Sequence, residues 1–183
     1  SGGRAFFLCT TLRAVKRAAE RLREEFEQRK LPFPLMVQGE LGRTELLDQF
    51  RAAGNAVLIG SQSFWEGVDV RGDALSLVII DKLPFAPPDD PVFQAKSELV
   101  NSRGGNAFQD LSIPDAAIAL KQGAGRLIRD ETDWGVLLIG DRRLVEKGYG
   151  KTLWRSLPPF KRTRDLKVAV EFMLEKMKKP AEI

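Results

Sequence analysis

The sequence predicts an α/β domain: one mostly parallel sheet with helices covering both of its faces. Two observations carry this. Short apolar runs alternate with helix-length segments whose apolar residues recur every three or four positions. The runs are also continuous rather than alternating, the pattern of strands buried on both sides. With 183 residues, 43% of them hydrophobic, the chain is long enough to bury one such core.

Ala5-Phe6-Phe7-Leu8-Cys9, bounded by Gly2-Gly3 and Thr10-Thr11, reads as the first strand. A helix from about Leu12 to Arg29 follows, with Leu12, Val15, Ala19, Leu22 and Phe26 inward and Lys16, Glu20, Arg23 and Glu27 outward. Leu35-Met36-Val37-Gln38 is the next strand, and residues 39–42 make a turn. Thr44 to Ala53 forms a helix with Leu46, Leu47 and Phe50 inward, ended by Gly54-Asn55. Ala56 to Gly60 is a third strand and Leu75 to Ile80 a fourth, closed by Asp81-Lys82-Leu83-Pro84-Phe85. Pro84, Pro87, Pro88 and Pro91 forbid regular structure across a stiff loop. A helix from about Val92 to Ser102 meets a Gly104-Gly105 break.

The next helix is predicted to begin at Ser112, where Ser112 and Asp115 form a Ser-x-x-Asp start signal. Ile113, Ala116, Ala117, Leu120, Ala124 and Leu127 mark its inner face. Trp134 to Gly140 is the fifth strand, with a short helix beyond Asp141. Residues 151–160 are expected to be irregular around Pro158-Pro159. A last helix from about Arg164 to Lys178 carries Leu166, Ala169, Val170, Met173 and Met177 on one face.

Composition narrows the function classes. Lys and Arg number 29 against 25 Asp and Glu, a net charge of +4, which is compatible with a nucleic-acid partner without being a polybasic arm. One Cys and no His supply neither an internal disulfide nor a four-cysteine metal site, so no metal centre is expected in this chain. No apolar run reaches membrane-spanning length, and no charged-then-apolar leader opens the sequence. The expectation is a cytoplasmic protein without a membrane partner.

In parallel sheets ligands sit at the carboxyl ends of the strands. Thr10-Thr11, Gln38-Gly39, Ser61-Gln62-Ser63 and Asp141-Arg142 are therefore candidate site residues. If the helix from Ser112 continues, Gln122, Arg126 and Arg129 present an amide and two guanidiniums on one face. Gly123 and Gly125 each cost a helix roughly 1 kcal/mol relative to Ala, unless the backbone must approach something closely. Two permanently charged forks beside bare backbone suit a phosphate chain; a solvated basic face is the plainer alternative. Between Gly60 and Gly72, Glu66 and Asp69 either order a loop or serve a ligand, and Phe64 and Trp65 are core residues by default.

Gln122-Gly123-Ala124-Gly125-Arg126-Leu127-Ile128-Arg129 resembles motif VI of superfamily 2 helicases. The run from Gly60 to Gly72 resembles motif V of DinG/YoaA-like helicases, the bacterial relatives of XPD. Phe7-Leu8-Cys9-Thr10-Thr11 resembles motif IV, and the similarity extends to Ser156-Leu157-Pro158-Pro159, closest to the YoaA branch. The resemblance implies a RecA-like P-loop NTPase fold, as the second motor domain, over residues 1–160, with residues 161–183 a tail that packs on the domain or docks a partner. No Gly-x-x-x-x-Gly-Lys-Ser/Thr (Walker A) loop occurs, and a DEAH box is impossible without His.

By resemblance, Arg126 and Arg129 reach the γ-phosphate, one of them as arginine finger, and Gln122 senses it. Glu66, Gly67, Asp69 and Gly125 couple to the nucleotide. Thr10, Thr11, Gln38, Gly39, Ser61 and Gln62 hold the backbone of single-stranded DNA. ATP and Mg2+ would be shared with the N-terminal motor domain, and the family's iron–sulfur cluster would belong to that domain. The resemblance implies a 5′→3′ ATP-dependent DNA helicase in repair or replication, inactive as an isolated domain. A single-strand-binding or replication accessory protein is a candidate partner for the tail. The alternatives are a nucleotide-independent nucleic-acid- or protein-binding module and a self-contained doubly wound enzyme. For the latter the glycine-rich dinucleotide fingerprint is missing.

Overall fold

The computed structural model describes residues 1–61, 64, 75–128 and 133–178. The strands are β1 (Ala5–Cys9), β2 (Leu35–Val37), β3 (Val57–Ser61), β4 (Leu77–Ile80) and β5 (Val136–Ile139). They form one sheet in the order β2-β3-β1-β4-β5, and every pair of neighbours runs parallel. The strands' carboxyl ends therefore share one edge, and the chain must return to the opposite edge between strands. The helices are α1 (Leu12–Gln28), α2 (Arg43–Ala53), α3 (Pro91–Ser102), α4 (Ile113–Ala124), α5 (Arg143–Glu146), α6 (Gly150–Arg155) and α7 (Leu166–Lys178).

The pleat sorts the strand residues onto two faces. Phe7, Cys9, Val37 and Ile59 meet Val15 and Ala19 of α1 on one face. Phe6, Leu8, Leu58, Val78 and Ile80 meet Leu46, Leu47 and Phe50 of α2, Ala116 and Leu120 of α4 and Leu153 of α6 on the other. Both faces are covered, as continuous apolar strands require. Helix α3 buries none of its residues, although Asp90 caps it by accepting from the Phe93 N–H.

Four local expectations are corrected. Leu12 is 59% exposed, not part of the inner stripe. It follows the Thr11 cap directly and overhangs the end of β1, so α1 first meets the sheet at Val15. Ser112 does not start a helix: its backbone is already helical (φ −63°, ψ −44°) and its hydroxyl makes no capping bond. The helical path begins earlier, in a wide π-turn from Phe108 to Ser112. There Asn106 Oδ1 accepts from the Gln109 N–H, Asp110 Oδ2 accepts from the Asn106 N–H, and Asn101 Oδ1 accepts from the Ala107 N–H. At the other end α4 stops at Ala124, and Arg126 and Leu127 follow in tight turns whose N–H groups reach the carbonyls three residues back. Arg126 is therefore not on a helical face with Gln122. Finally, residues 150–155 are helical rather than irregular. Gly150 admits this packing because a Cβ there would lie 2.0 Å from the Leu144 carbonyl oxygen.

Candidate functional site

At the carboxyl edge the structure gathers Thr10 and Thr11 after β1, Gln38 and Gly39 after β2, and Ser61 at the end of β3. Thr11 Oγ1 accepts from the Ala14 N–H at 3.2 Å, capping α1 while its own O–H stays available to donate. The Gln38 side-chain carbonyl accepts from the Ser61 N–H and ties the ends of β2 and β3 together. Gly39 has φ +97° with nothing within 4 Å of a Cβ position, so conformation rather than space calls for glycine there. The adjacent Glu40 carboxylate is paired with Arg23 of α1.

Toward the β4–β5 end, Asp141 is the best-held polar residue. Its Oδ2 accepts from the Leu83 N–H at 2.9 Å and from the Arg143 guanidinium, while Oδ1 accepts from the Arg143 N–H at 3.0 Å. Burial alone would raise its pKa. The Arg143 side-chain bond, the Leu83 and Arg143 backbone bonds and the Arg143 charge outweigh burial and hold it at about 2. Arg143 also lies over the Phe85 ring, 5.4 Å from its centroid. Phe85, Phe108 and Tyr149 stack mutually at 5.1–5.7 Å. Beside them Phe108, Gln109, Ile113, Gly148, Tyr149 and Thr152 line an open cavity of about 560 Å³. Cys9, at the end of β1, is pushed up to about 12 by burial and then by the Asp81 charge, so its thiol is inert.

The arginine of the motif VI-like run follows the end of α4. Its neighbour Leu127 packs against Gly135, at the amino end of β5, where the Gly135 Cβ position also faces the Ser76 carbonyl. Helix α4 carries the chain back across the sheet before β5 can begin. Arg126 is half-buried; burial and then the charge of Arg43 lower its pKa. Arg43 begins α2 and stacks over Phe64 at 5.5 Å. Gln122 is exposed, and Gly125 is half-buried with its Cβ position 3.2 Å from the Lys121 carbonyl. Gln62, Glu66, Gly67, Asp69 and Arg129 lie outside the described residues. Arg43 and Arg143 are site residues that no sequence pattern singled out; a basic residue opening a helix, or two positions after an aspartate, carries no distinguishing signal.

An all-parallel sheet of five strands with helices packed on both faces is the α/β architecture of RecA-like domains. Residues 1–160 match the family described as the helicase C-terminal domain, and the chain belongs to that family. It is 53% identical over 173 residues to the ATP-dependent DNA helicase YoaA of Escherichia coli strain K12, covering 94% of this chain and 26% of that protein. It is 42% identical over 163 residues to the ATP-dependent helicase DinG of Mycobacterium tuberculosis strain ATCC 25177 / H37Ra, covering 89% of this chain and 24% of that protein. A solved XPD helicase shares the fold, with a TM-score of 0.62 and 22% identity over 84% of this chain and 27% of that one. The chain thus spans about a quarter of the length of these relatives.

Proposed function

We propose that this chain is the second motor domain of an ATP-dependent, 5′→3′ DNA helicase acting in DNA repair or replication in the bacterial cytoplasm. Residues 1–160 form the domain and 161–183 a tail. The similarity of nearly the whole chain to YoaA, a protein named as an ATP-dependent DNA helicase, carries this conclusion. Thr10, Thr11, Gln38, Gly39, Ser61 and Gln62 grip the backbone of single-stranded DNA. Uncharged donors suit a motor that must hold any sequence, because backbone contacts carry no base information.

Arg126, with Gln122 and Gly125, serves the ATP phosphates, together with Glu66, Gly67, Asp69 and Arg129. The half-buried Arg126 beside the Arg43 charge fits a phosphate: two like charges held close are relieved when an anion binds between them. The phosphate loop, Mg2+ ligands and iron–sulfur cluster fall to the N-terminal motor domain of the longer protein, which is this chain's partner across the nucleotide. Helix α7, with Leu166 and Val170 exposed, offers a surface for a single-strand-binding or replication accessory protein.

The test uses the longer protein. Arg126→Ala should cut ATP hydrolysis by roughly 10³-fold or more while ATP still binds, and Arg126→Lys should fail too, since an ammonium lacks the planar fork. Equal loss of binding and hydrolysis would make Arg126 a nucleotide-positioning residue instead. The isolated chain should release no phosphate with Mg2+ and single-stranded DNA; turnover that survives Arg126→Ala would overturn the reading.

A further inference from the structure

The last rung of the β2–β3 ladder is made by a side chain. Backbone bonds run from the Val57 N–H to Pro34 and from the Gln38 N–H to Ile59, so the next parallel rung would join the Ser61 N–H to the Gln38 backbone carbonyl. Gly39, at φ +97°, turns the chain away at that point. The Gln38 side-chain oxygen takes the Ser61 N–H instead.

This substitution fixes the amide's orientation. Ser61 N–H is a donor, so only Oε1 can face it, and Nε2 must point the other way. Gln38 is half-buried, and its NH2 makes no hydrogen bond to any described residue. Glu40, the acid in the same turn, is already paired with Arg23. Gln38, Ser61 and Thr10 end three adjacent strands, so they stand in a row about 10 Å long at the carboxyl edge. A glutamate of similar length would separate the two jobs of this side chain, since the rung needs only the oxygen, whereas a methionine would remove both.

We propose that Gln38 works at both ends: its carbonyl completes the β2–β3 ladder, and its NH2, aimed by that rung, donates to a phosphate oxygen of single-stranded nucleic acid lying along the carboxyl edge. The proposal rests on the nucleic-acid grip described above and gives one residue of it a defined geometry. Gln38 thereby also sets where the chain leaves β3, which makes it a positioning residue as well as a contact.

The experiment compares Gln38→Glu, Gln38→Met, Thr10→Ala and the charge control Leu41→Glu in the 183-residue chain. Binding of a fluorescein-labelled oligo-dT is read by anisotropy at about 50 mM salt, where backbone contacts are strongest. Thermal melts are read in parallel. Gln38→Glu keeps the acceptor and should melt with the parent, yet bind about tenfold more weakly or worse, well beyond the Leu41→Glu control. Gln38→Met should lose both melting temperature and affinity. Gln38→Glu binding no worse than the Leu41→Glu control, or melting as low as Gln38→Met, would overturn the proposal. A loss in Thr10→Ala with none in Gln38→Glu would sink it and leave the grip intact. No binding by the parent chain would sink both.

Discussion

Asp141 shows how one buried carboxylate can be worth more than several surface ion pairs. Its side chain is 7% exposed and paired with Arg143, whereas Arg21–Glu24 and Arg51–Asp48 lie mostly in water and contribute little. Its pKa of about 2 lies below the unfolded value of 3.8, so the folded state resists protonation. That stability, about 2 kcal/mol, is fully present above roughly pH 5 and is lost as pH falls through 3.8 toward 2. Asp141→Asn should therefore lower stability to urea at pH 7, and the gap to the parent should shrink by about half at pH 3; a gap that stays constant would show that ionisation is not the source. Cys9 gives a second residue-scale outcome. With its thiol 1% exposed and raised to about 12, it should react with a thiol reagent at pH 8 only as fast as the protein unfolds. Immediate labelling of the native chain would contradict the packing of β1. Asp141 was legible as a polar residue after a strand, but its partner Arg143 was not, because only the fold brings Leu83 and Phe85 beneath it.

At the scale of elements, the helix leading to Arg126 begins and ends differently from its sequence pattern. Ser112 and Asp115 have the spacing of a cap, yet Asn106 and Asp110 do the capping six and five residues earlier, around a π-turn that no periodicity announces. Asn106→Ala should cost about 1 kcal/mol, and Ser112→Ala should stay within about 0.5 kcal/mol of the parent. The reverse ranking in urea melts would return the helix start to Ser112. The strands were readable because continuous apolar runs have one use in an α/β chain. The six-residue α6 was not, being too short to show a helical period beside Pro158-Pro159. Gly150 marks it instead: Gly150→Ala drives a Cβ against the Leu144 carbonyl, backbone that cannot swing aside. A loss of about 1–3 kcal/mol is expected, far more than a helix-interior Gly→Ala exchange, which would normally stabilise.

On the scale of the whole molecule, the parallel sheet sets Thr10, Gln38 and Ser61 at the carboxyl ends of adjacent strands, and Leu127 against Gly135 at the amino end of β5. The candidate residues were visible in the sequence, but which strand ends stand side by side follows from the strand order β2-β3-β1-β4-β5, which no local pattern encodes. Helix α7 rests at that amino end. Phe172 packs edge-on against Trp134 at 6.3 Å, Trp134 carries the Arg4 guanidinium at 5.6 Å, and Met177 closes on Gly2. Of the stripe predicted to dock, Met173 is buried, while Leu166, Val170 and Met177 are 62%, 45% and 43% exposed. The helix is therefore held through Met173 and Phe172, and the rest of its apolar surface adds little to the fold. Met173→Ala should cost about 2 kcal/mol, the low end for a buried methionine because the site is at the rim of the core. Leu166→Ser and Val170→Ser should each change stability by less than about 0.5 kcal/mol. Truncation after Phe160 should lower the melting temperature about as much as Met173→Ala does. If Leu166→Ser or Val170→Ser destabilises as strongly as Met173→Ala, then α7 packs through its whole stripe, and no part of that surface is left for a partner.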